Sequence, residues 1–449
     1  MSAIHTESPP EQTVRKESPS PSPQAAHTEI EGPSSQATHA GIGSPPPQTA
    51  GSEPRKSSPP QTVPDRTAGR STTPSFEEIE SPLARLTPAQ IEQLGREFDA
   101  IHDEVFAELG DRDARYIRAT IKLHRQLALS GRALLTGSRY RSLWLVGTAA
   151  LSVAKILENM EIGHNVMHGQ WDWMNDPDIN SRNWDWDTAS PAEAWRHSHN
   201  YEHHTFTNIR GKDRDLGYEI MRIDPHQRWH PIYLLQPLYN LLLMGFFEWG
   251  VAVHDLNHGA IHSGEKSKAQ VIAELKAIGV KARRQVVKDY IAFPLLSGRA
   301  FKSTLAANFT ANIVRNVWAY SIIFCGHFPD QTYTFSEEEV AEETRGGWYV
   351  RQLLGSANID GGPLFHLLAG NLSFQVEHHL YPDMPSSRYA EIAPRVRDVC
   401  RRYELPYNTG PLRKQLGTVH RTILRLAFPG GKPRPKPGPY TGRNRNVSV

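Results

Sequence analysis

The chain has 449 residues, and its formal net charge at neutral pH is only +2. This balance gives no sign of a nucleic-acid-binding protein, which would need a marked excess of basic residues. Its two cysteines, Cys325 and Cys400, exclude a disulfide framework and a cysteine-ligated zinc or iron–sulfur site. Histidine, with 21 residues, is therefore the more promising source of metal ligands.

The composition divides the chain into one long domain between two tails. Residues 1–76 are rich in Pro, Ser, Thr and Gln and lack apolar periodicity, so they cannot bury enough surface to offset chain entropy. No basic stretch followed by a short apolar run is present there, so no secretory signal peptide is expected. We predict a disordered tail at 1–76, one domain at 77–428, and a basic, disordered tail rich in Pro and Gly at 429–449.

The domain is expected to begin with a helix. The segment from Thr87 to Gln90 has the spacing of a capping box, with a proline at the first helical position. Apolar residues then recur at helical spacing as far as Val105, which predicts an amphipathic helix that packs on the domain.

Three apolar stretches approach the length of a membrane span, which needs about 20 mostly apolar residues. They are 142–160, 231–254 and 303–327, and each contains at least one charged residue. The neighbouring basic segments conflict with the simplest topology under the positive-inside tendency. A helical hairpin around 129–157 or re-entrant segments would each resolve this conflict, and hydropathy alone does not decide between a membrane protein and a soluble one.

Two clusters of histidine follow the first apolar stretch. In the first cluster, His164 and His168 are four residues apart, so on a continuing helix they lie one turn apart on one face. In the second, His199 is followed by the adjacent pair His203 and His204. Clusters at these spacings indicate metal binding, whereas a lone histidine is more often a core or surface residue.

A third cluster, with Gln375, His378 and His379, closes the pattern. Two long apolar segments separate it from the second cluster, and two crossings would return the chain to its starting side. The same parity places His327, at the end of 303–327, on the side of the three clusters.

The spacing of the histidines and glutamates also limits which kind of metal site the sequence could form. Zinc peptidases carry H-E-x-x-H, and this sequence has none. Soluble carboxylate-bridged di-iron proteins use two Glu-x-x-His pairs, and only Glu161 and His164 fit here. A mostly histidine-ligated di-iron site fits best. No G-x-G-x-x-G or Walker spacing is present, and Phe428 replaces the histidine of the cytochrome b5 motif His-Pro-Gly-Gly, so electrons are expected from another protein.

The three clusters resemble the histidine boxes of the integral-membrane fatty acid desaturases, H-x(3–4)-H, H-x(2–3)-H-H and H/Q-x-x-H-H. The residues around the boxes match as well, in 159–169, 203–208 and 370–382, and the similarity runs from about residue 111 to 421. Within this family, the wider sequence is most similar to the actinobacterial acyl-CoA 9-desaturases of the stearoyl-CoA type.

The resemblance implies an all-α fold: a membrane helical bundle of about four spans, with a cytosolic helical cap that carries a histidine-rich di-iron site. It implies two Fe²⁺ ions, dioxygen, a long-chain acyl-CoA substrate and a separate ferredoxin-type or NADPH-dependent reductase. The protein would be multi-pass in the cell membrane, with its boxes facing the cytosol. The implied metal ligands are His164, His168, His199, His203, His204, His327, His378 and His379.

Gln375 holds the first position of the third box, where many relatives have histidine. Its amide would offer a weak oxygen ligand or a hydrogen bond to a bound water, and Asn371 would act in the layer behind the ligands. Arg210, Lys212 and Arg214 would bind the coenzyme A phosphates, or they form a solvated charged loop. The tryptophans of 171–187 would line a lipid channel, or they lie at the membrane interface.

The expected reaction is the oxygen-dependent insertion of a cis double bond at carbon 9 of stearoyl-CoA or a similar saturated acyl-CoA. A membrane di-iron hydroxylase is the nearest alternative, since it would share the boxes. A non-catalytic histidine-rich metal-binding membrane protein is the second alternative, but its ligands should line a pore.

Other histidines are expected to lie elsewhere. His254, His258 and His262 form a helical stripe after the far end of 231–254, and this stripe is too far from the clusters if that segment is one helix. His197 should point away from the second cluster, and His366 should either pack or support a ligand.

Overall fold

The computed structural model describes residues 81–430 and 436–441. Within these ranges the chain is mostly helical, with very little β-structure, which agrees with the all-α expectation. The β-structure there is limited to one isolated bridge and one short parallel pair, Asn358–Asp360 (β1) with Thr409–Pro411 (β2). The predicted tail at 1–76 lies outside the described residues.

The helices follow one another closely along the chain. The first are α1 (Pro88–Ala107), α2 (Asp111–Leu135), α3 (Arg141–Ile156), α4 (Asn165–Met167), α5 (Ala192–Trp195) and α6 (His204–Phe206). Next come α7 (Gln236–Gly245), α8 (Phe247–His254), α9 (His258–Ser263), α10 (Lys268–Val286), α11 (Phe293–Leu296) and α12 (Phe301–His327). The last are α13 (Arg345–Gly355), α14 (Pro363–Leu368), α15 (Gln375–Leu380), α16 (Tyr389–Arg402) and α17 (Leu412–Leu426).

Two other kinds of helix join these elements. The π-helical segments are Leu157–His164, Arg196–His203 and Val287–Ala292. The 3-10 turns are Pro82–Arg85, Asp172–Met174, Leu216–Glu219, Pro231–Leu235, Gly298–Ala300, Glu338–Val340 and Ser386–Arg388.

The first helix begins as its sequence predicts. The Thr87 hydroxyl accepts a hydrogen bond from the backbone N–H of Gln90 (3.3 Å), and the Gln90 side chain accepts one from the backbone N–H of Thr87 (2.9 Å). The apolar face of α1 is buried in a core shared with α13, α15 and α16, which includes Leu94, Phe98, Ile101 and Val105. This core supports the third histidine box, which lies on α15.

Helices α2 and α3 form an antiparallel hairpin, one of the two arrangements that would resolve the topological conflict. Their backbones approach closely at two glycines: a Cβ on Gly131 would lie 3.0 Å from the Leu151 nitrogen and 3.1 Å from the Gly147 carbonyl oxygen. Near the other end, the Tyr116 hydroxyl donates to Glu161 (2.9 Å). The basic start of α2 therefore lies on the side of the first histidine box.

Among the described residues, one helical run, Arg141–Met167, has the length and apolar composition of a membrane span. The segment 231–254 is not one straight helix, because Phe246 (φ −119°, ψ 34°) separates α7 from α8. Helix α12 is long enough, at 27 residues, but it buries polar side chains such as Asn312 and Arg315. About four spans therefore stays a prediction.

Part of the predicted C-terminal tail, 429–449, packs on the domain. The Tyr440 backbone N–H donates to the Leu405 carbonyl (3.0 Å), and the rings of Tyr440 and Tyr407 are 5.6 Å apart. Within the described segment 436–441, Tyr440 thus contacts the domain. The segments on either side lie outside the described residues.

Candidate metal centre

The first histidine box lies where α3 continues through the π-helical segment Leu157–His164 into α4. His164 and His168 lie on one face, with ring centroids 4.6 Å apart, and the His168 N–H donates to the His164 carbonyl (3.1 Å). π-Helical turns are rare and frequently lie at functional sites. The ring distance and this hydrogen bond confirm the predicted one-turn spacing, and the π-helical turn widens the helix just before the box.

The second box is built in the same way, on the π-helical segment Arg196–His203 and the first residue of α6. The ring centroids of His199 and His203 are 5.1 Å apart, and those of His203 and His204 are 5.4 Å apart. His197 points away, as expected, with a largely exposed side chain that stacks on Tyr201.

The third box and the end of α12 close the site from the opposite side. The His327 ring centroid lies 4.7 Å from that of His203 and 4.9 Å from that of His379, and the His378 ring lies 4.7 Å from His168. All eight predicted histidine ligands thus meet in one place.

The candidate ligand atoms fall into two main sets with His204 between them, and a third group, His199, His203 and Asp215, takes one histidine from each set. Within each set the candidate ligand atoms lie within 4.8 Å of one another. The first set is His164, His168, His199 and His378, and the second is His203, His327 and His379. His204 lies between the sets, with its ring centroid 4.7 Å from His168 and 4.5 Å from His379. The two sets are therefore candidates for two adjacent metal positions.

The hydrogen-bonding state of the rings indicates that they fit metal ions. All eight histidines are buried. In the described part of the chain, neither ring nitrogen of His168 or His204 has a hydrogen-bond partner, and neither does Nε2 of His199, His203 or His379. Buried polar atoms are normally paired, because leaving them unpaired costs about 1–3 kcal/mol each. Metal ions at the two positions would satisfy these nitrogens.

Two aspartates behind the second box were not identified as part of the site from the sequence. Nδ1 of His203 lies 3.1 Å from each carboxylate oxygen of Asp213, and Nδ1 of His199 lies 3.4 Å from Oδ2 of Asp215. A carboxylate that accepts from Nδ1–H leaves the Nε2 lone pair free for a metal and fixes the ring. The sequence signal for these residues is the Asp-Arg-Asp segment shortly after the box, which by itself predicts only a charged loop.

The pKa values of His203 and Asp215 reflect the same contacts. Burial alone would lower the pKa of His203, but the carboxylates of Asp213 and Asp215 outweigh it and raise the pKa. Burial alone would raise the pKa of Asp215, but the imidazoles of His203, His199 and His254 hold it well below its usual range. Asp215 is therefore a carboxylate at neutral pH.

His254 contradicts the expectation that its stripe lies far from the site. Its Nε2 lies 2.9 Å from Oδ1 of Asp215, so it supports the second box through that carboxylate. The expectation was wrong because 231–254 breaks at Phe246 and does not run as one straight helix. His258 and His262, on α9, are exposed and lie outside the site.

The Nδ1 atoms of His378 and His379, in the third box, have uncharged partners. Nδ1 of His379 lies 2.9 Å from Oε1 of Gln352, and Nδ1 of His378 lies 3.2 Å from the Tyr389 hydroxyl. Burial and the neighbouring imidazoles lower the pKa of His168, His204, His378 and His379 well below the usual value. These rings are therefore neutral at pH 7, which is the form that binds metals.

Gln375 and Asn371 lie at different depths around the site. Nε2 of Gln375 is 3.1 Å from Nε2 of His327, so this amide touches a ligand atom. The Asn371 amide donates to Glu161 (3.0 Å), three residues before the first box, and touches no histidine ligand in the described chain. His366 packs on Phe374 and bonds to a serine hydroxyl, so it plays a packing role.

A narrow cavity of about 60 Å³ reaches the first metal position. His164 and His199 form part of its wall. Trp186, Trp195, Phe247, Val251 and Ile323 make the rest of its surface mostly apolar, although polar residues, among them Asp215, Glu248 and Asp255, also line it. A mostly apolar surface thus lies directly beside the histidine cluster.

The loop that was a candidate for coenzyme A binding is engaged within the protein. Arg214 pairs with Glu202 (2.7 Å), and Lys212 pairs with Glu337 (3.3 Å). Arg210 lies 3.7 Å from the buried carboxylate of Asp224. These contacts favour the interpretation of a charged structural loop.

Comparisons with known proteins agree with this geometry. The sequence model of the family described as "Fatty acid desaturase" matches residues 142–411. The "NADPH-dependent stearoyl-CoA 9-desaturase" of Mycobacterium tuberculosis is 50% identical over 351 residues, which is 77% of this chain and 82% of that protein. The "sn-1 linoleoyl-lipid 6-desaturase" of Synechocystis is 25% identical over 277 residues, which is 60% of this chain and 76% of that protein.

Proposed function

The chain belongs to the fatty acid desaturase family, and we propose that it inserts a cis double bond at carbon 9 of a long-chain saturated acyl-CoA such as stearoyl-CoA. Two hydrogens leave adjacent methylenes, a reductase supplies two electrons, and two protons from the medium complete the reduction of dioxygen to two water molecules. One observation carries the proposal: eight buried histidines, six of which have an unpartnered ring nitrogen, converge beside an apolar cavity.

The two sets of histidines would suit two metal ions, one for each set. Iron is the metal that fits both imidazole ligands and an oxygen-dependent oxidation. Bound iron would supply the oxygen activation that an unactivated methylene requires. His164, His168, His199 and His378 would hold one ion, and His203, His327 and His379 the other. His204, between the sets, would complete either position.

The protein's own residues would keep the centre dry and fixed. Asp213, Asp215 and Gln352 accept hydrogen bonds from Nδ1 of their histidines, so each Nε2 stays directed into the site. Burial of the whole cluster excludes bulk water, which would otherwise intercept the reactive oxidant.

The apolar cavity would position the acyl chain. Trp186 and Trp195 lie on one part of its wall, and Phe247 and Val251, from α8, lie on another. Rigid aromatic and aliphatic walls would hold one pair of methylenes beside His164 and His199, which is the main contribution that positioning can make to such a reaction. The cavity supports the lipid-channel interpretation for Trp186, the tryptophan of the run 171–187 that lines it.

A separate reductase would deliver the electrons. The sequence lacks the glycine motifs for a nicotinamide or flavin nucleotide and the histidine of a fused cytochrome b5 motif. The mycobacterial relative is called NADPH-dependent. We therefore propose a ferredoxin-type or NADPH-dependent reductase as the partner.

The protein would work as a multi-pass protein of the cell membrane, with the histidines on the cytosolic side of about four spans. The hairpin α2–α3, the broken pair α7–α8, and α12 are the segments that would cross or enter the bilayer. Large apolar side chains are exposed along these elements, and such patches are typical of membrane contact. They include Leu129, Leu145, Val146, Leu238, Leu241, Leu242, Phe309 and Val314.

Expression in a desaturase-deficient host fed deuterated stearate tests the proposed function. Gas chromatography–mass spectrometry should find an 18:1 product with its double bond at carbon 9, and purified protein should contain two iron ions per chain. His199→Ala should abolish the product and lower bound iron, whereas the exposed His197→Ala should change neither. Hydroxystearate would favour the hydroxylase alternative, and the absence of any oxygen-dependent product with a reductase supplied would exclude both.

A further inference from the structure

A second cavity, of about 280 Å³, lies beside the apolar one, and the two share Trp186 and Thr188 in their walls. We propose that this cavity, hereafter the head-group cavity, binds the phosphate-bearing end of coenzyme A while the acyl chain enters the apolar cavity. The inference rests on the proposed function and identifies which part of the protein recognises the substrate's carrier.

The charge of the head-group cavity fits a polyanion. Its six basic lining residues are Arg125, Arg132, Lys155, Lys281, Arg284 and Lys288, contributed by α2, α3, α10 and the π-helical segment that follows α10. Three acidic residues also line it, Glu158, Asp185 and Asp187, so positive charge is in excess. A concave site with one dominant sign of charge concentrates ligands of the opposite sign.

Several of these cations build the wall and are already engaged. Lys155 is buried and lies 2.7 Å from Asp289, which also pairs with Arg132 (3.0 Å). Lys281 pairs with Asp185 and donates to the Trp186 carbonyl (2.6 Å). Lys288 pairs with Asp187. These contacts fix the segment around Trp186, which lines both cavities.

Two cations remain available to a ligand. Arg125 and Arg284 are exposed, and neither has an ion pair in the described part of the chain. Guanidinium groups bind phosphate oxygens through two parallel hydrogen bonds, and arginine is preferred where such geometry matters. An acyl-CoA supplies both a phosphate group for these arginines and a hydrocarbon chain for the neighbouring cavity.

The order of features along the two cavities matches the order of groups in an acyl-CoA. The cationic walls come first, then the shared residues Trp186 and Thr188, and then the apolar walls beside His164. The basic loop at 210–214 lines neither of these two cavities, and its cations are paired elsewhere. The head-group cavity therefore replaces that loop as the site for the carrier's phosphates.

Kinetics of the iron-loaded, full-length protein with three stearoyl donors test the proposal. The donors are stearoyl-CoA, the stearoyl thioester of N-acetylcysteamine, which has no phosphate, and a stearoyl phospholipid. The variant is the double substitution Arg125→Gln and Arg284→Gln, chosen because it breaks no ion pair. The matched control is Arg283→Gln, which removes an exposed arginine that does not line the cavity from the same turn of α10.

The double variant should raise KM for stearoyl-CoA about tenfold, the effect of losing roughly one charge-assisted hydrogen bond, with kcat unchanged. It should leave the KM for the N-acetylcysteamine thioester unchanged, and Arg283→Gln should affect neither donor. Free coenzyme A should bind the wild-type protein by calorimetry and bind the double variant more weakly.

The outcomes that overturn the proposal differ from those that overturn the proposed function. An unchanged KM for stearoyl-CoA, or an equal rise in KM for both thioesters, would show that the two arginines do not bind the phosphates. Turnover of the phospholipid alone would assign the cationic surface to a lipid head group instead of coenzyme A. If wild-type protein desaturates none of the three donors, the proposed function itself is wrong.

Discussion

His203 and Asp213 are joined by a two-point contact, in which Nδ1 of the imidazole lies 3.1 Å from each oxygen of the buried carboxylate. Asp213→Asn keeps the shape of the side chain but presents an amide N–H to that nitrogen. The His203 proton would then move to Nε2, the atom that faces the metal. We expect iron affinity to fall by about 10- to 100-fold at the position shared by His203, His327 and His379.

Iron per chain, measured by mass spectrometry, should fall towards one, and desaturation should be lost. Asp178→Asn is the control, since Asp178 is exposed and lies outside the site. Retention of two irons and of activity in Asp213→Asn would show that the contact does not set the ring's protonation.

His254 supports the same box indirectly, because its Nε2 lies 2.9 Å from Oδ1 of Asp215, the carboxylate that contacts the box. His254→Ala removes a hydrogen bond from a carboxylate that also faces His199, so we expect about a tenfold lower kcat, at the low end for supporting residues. His254→Gln should restore part of the loss, because its amide also donates. His258→Ala, on the exposed helix that follows, should have no effect; equal losses in the two alanine variants would contradict this role.

The comparison of His254 with the boxes shows what the sequence can and cannot predict. His164 and His168 were predictable because a helix fixes the relation of residues four apart. Asp213 and Asp215 were not, because a loop brings them behind the second box and no periodicity describes a loop. His254 was misjudged because the break at Phe246 depends on packing, and a distance estimated along a straight helix did not include it.

Gly370 marks a backbone contact that the first box requires. Its φ is +69°, and a Cβ there would lie 2.6 Å from the backbone carbon and oxygen of Met160, in the π-helical segment that ends at His164. Gly370→Ala combines left-handed strain with a backbone clash, so we expect a loss of at least about 2 kcal/mol in unfolding free energy. Gly362→Ala is the matched control, since its Cβ would meet no described atom within 4 Å.

Thermal unfolding of the detergent-solubilised proteins provides the measurement. The melting temperature of Gly370→Ala should fall clearly below that of wild type, whereas Gly362→Ala should match it. Equal melting temperatures for all three would show that the backbone around Met160 can shift without a loss of stability.

The charge of Asp224 should stabilise the fold in a pH-dependent way. Burial opposes ionisation, but hydrogen bonds from His226 and Thr334 outweigh it and lower the pKa of Asp224 to about 2. Because the folded pKa lies below the unfolded value of about 4, the contribution is complete above pH 4 and is lost as the pH falls towards 2. We expect Asp224→Asn to cost about 2 kcal/mol of unfolding free energy at pH 7.

Melting temperatures of wild type and Asp224→Asn between pH 7 and pH 2.5 would test this relation. The two curves should be separated at pH 7 and converge below pH 4. A separation that stays constant across this range would indicate that shape rather than charge makes the difference.

Removal of the metal should lower the stability of the whole domain. Without iron, the site contains many closely spaced imidazole nitrogens that are buried and have no hydrogen-bond partner in the described chain. A ligand that binds only the folded state stabilises it in proportion to the logarithm of its concentration over Kd. Chelator-treated protein should therefore melt at a lower temperature, and added Fe²⁺ should restore it. Mg²⁺ should not, because it requires oxygen ligands. His199→Ala protein, already poor in iron, should respond little to the chelator; a response equal to that of wild type would place the stabilising metal somewhere other than the histidine cluster.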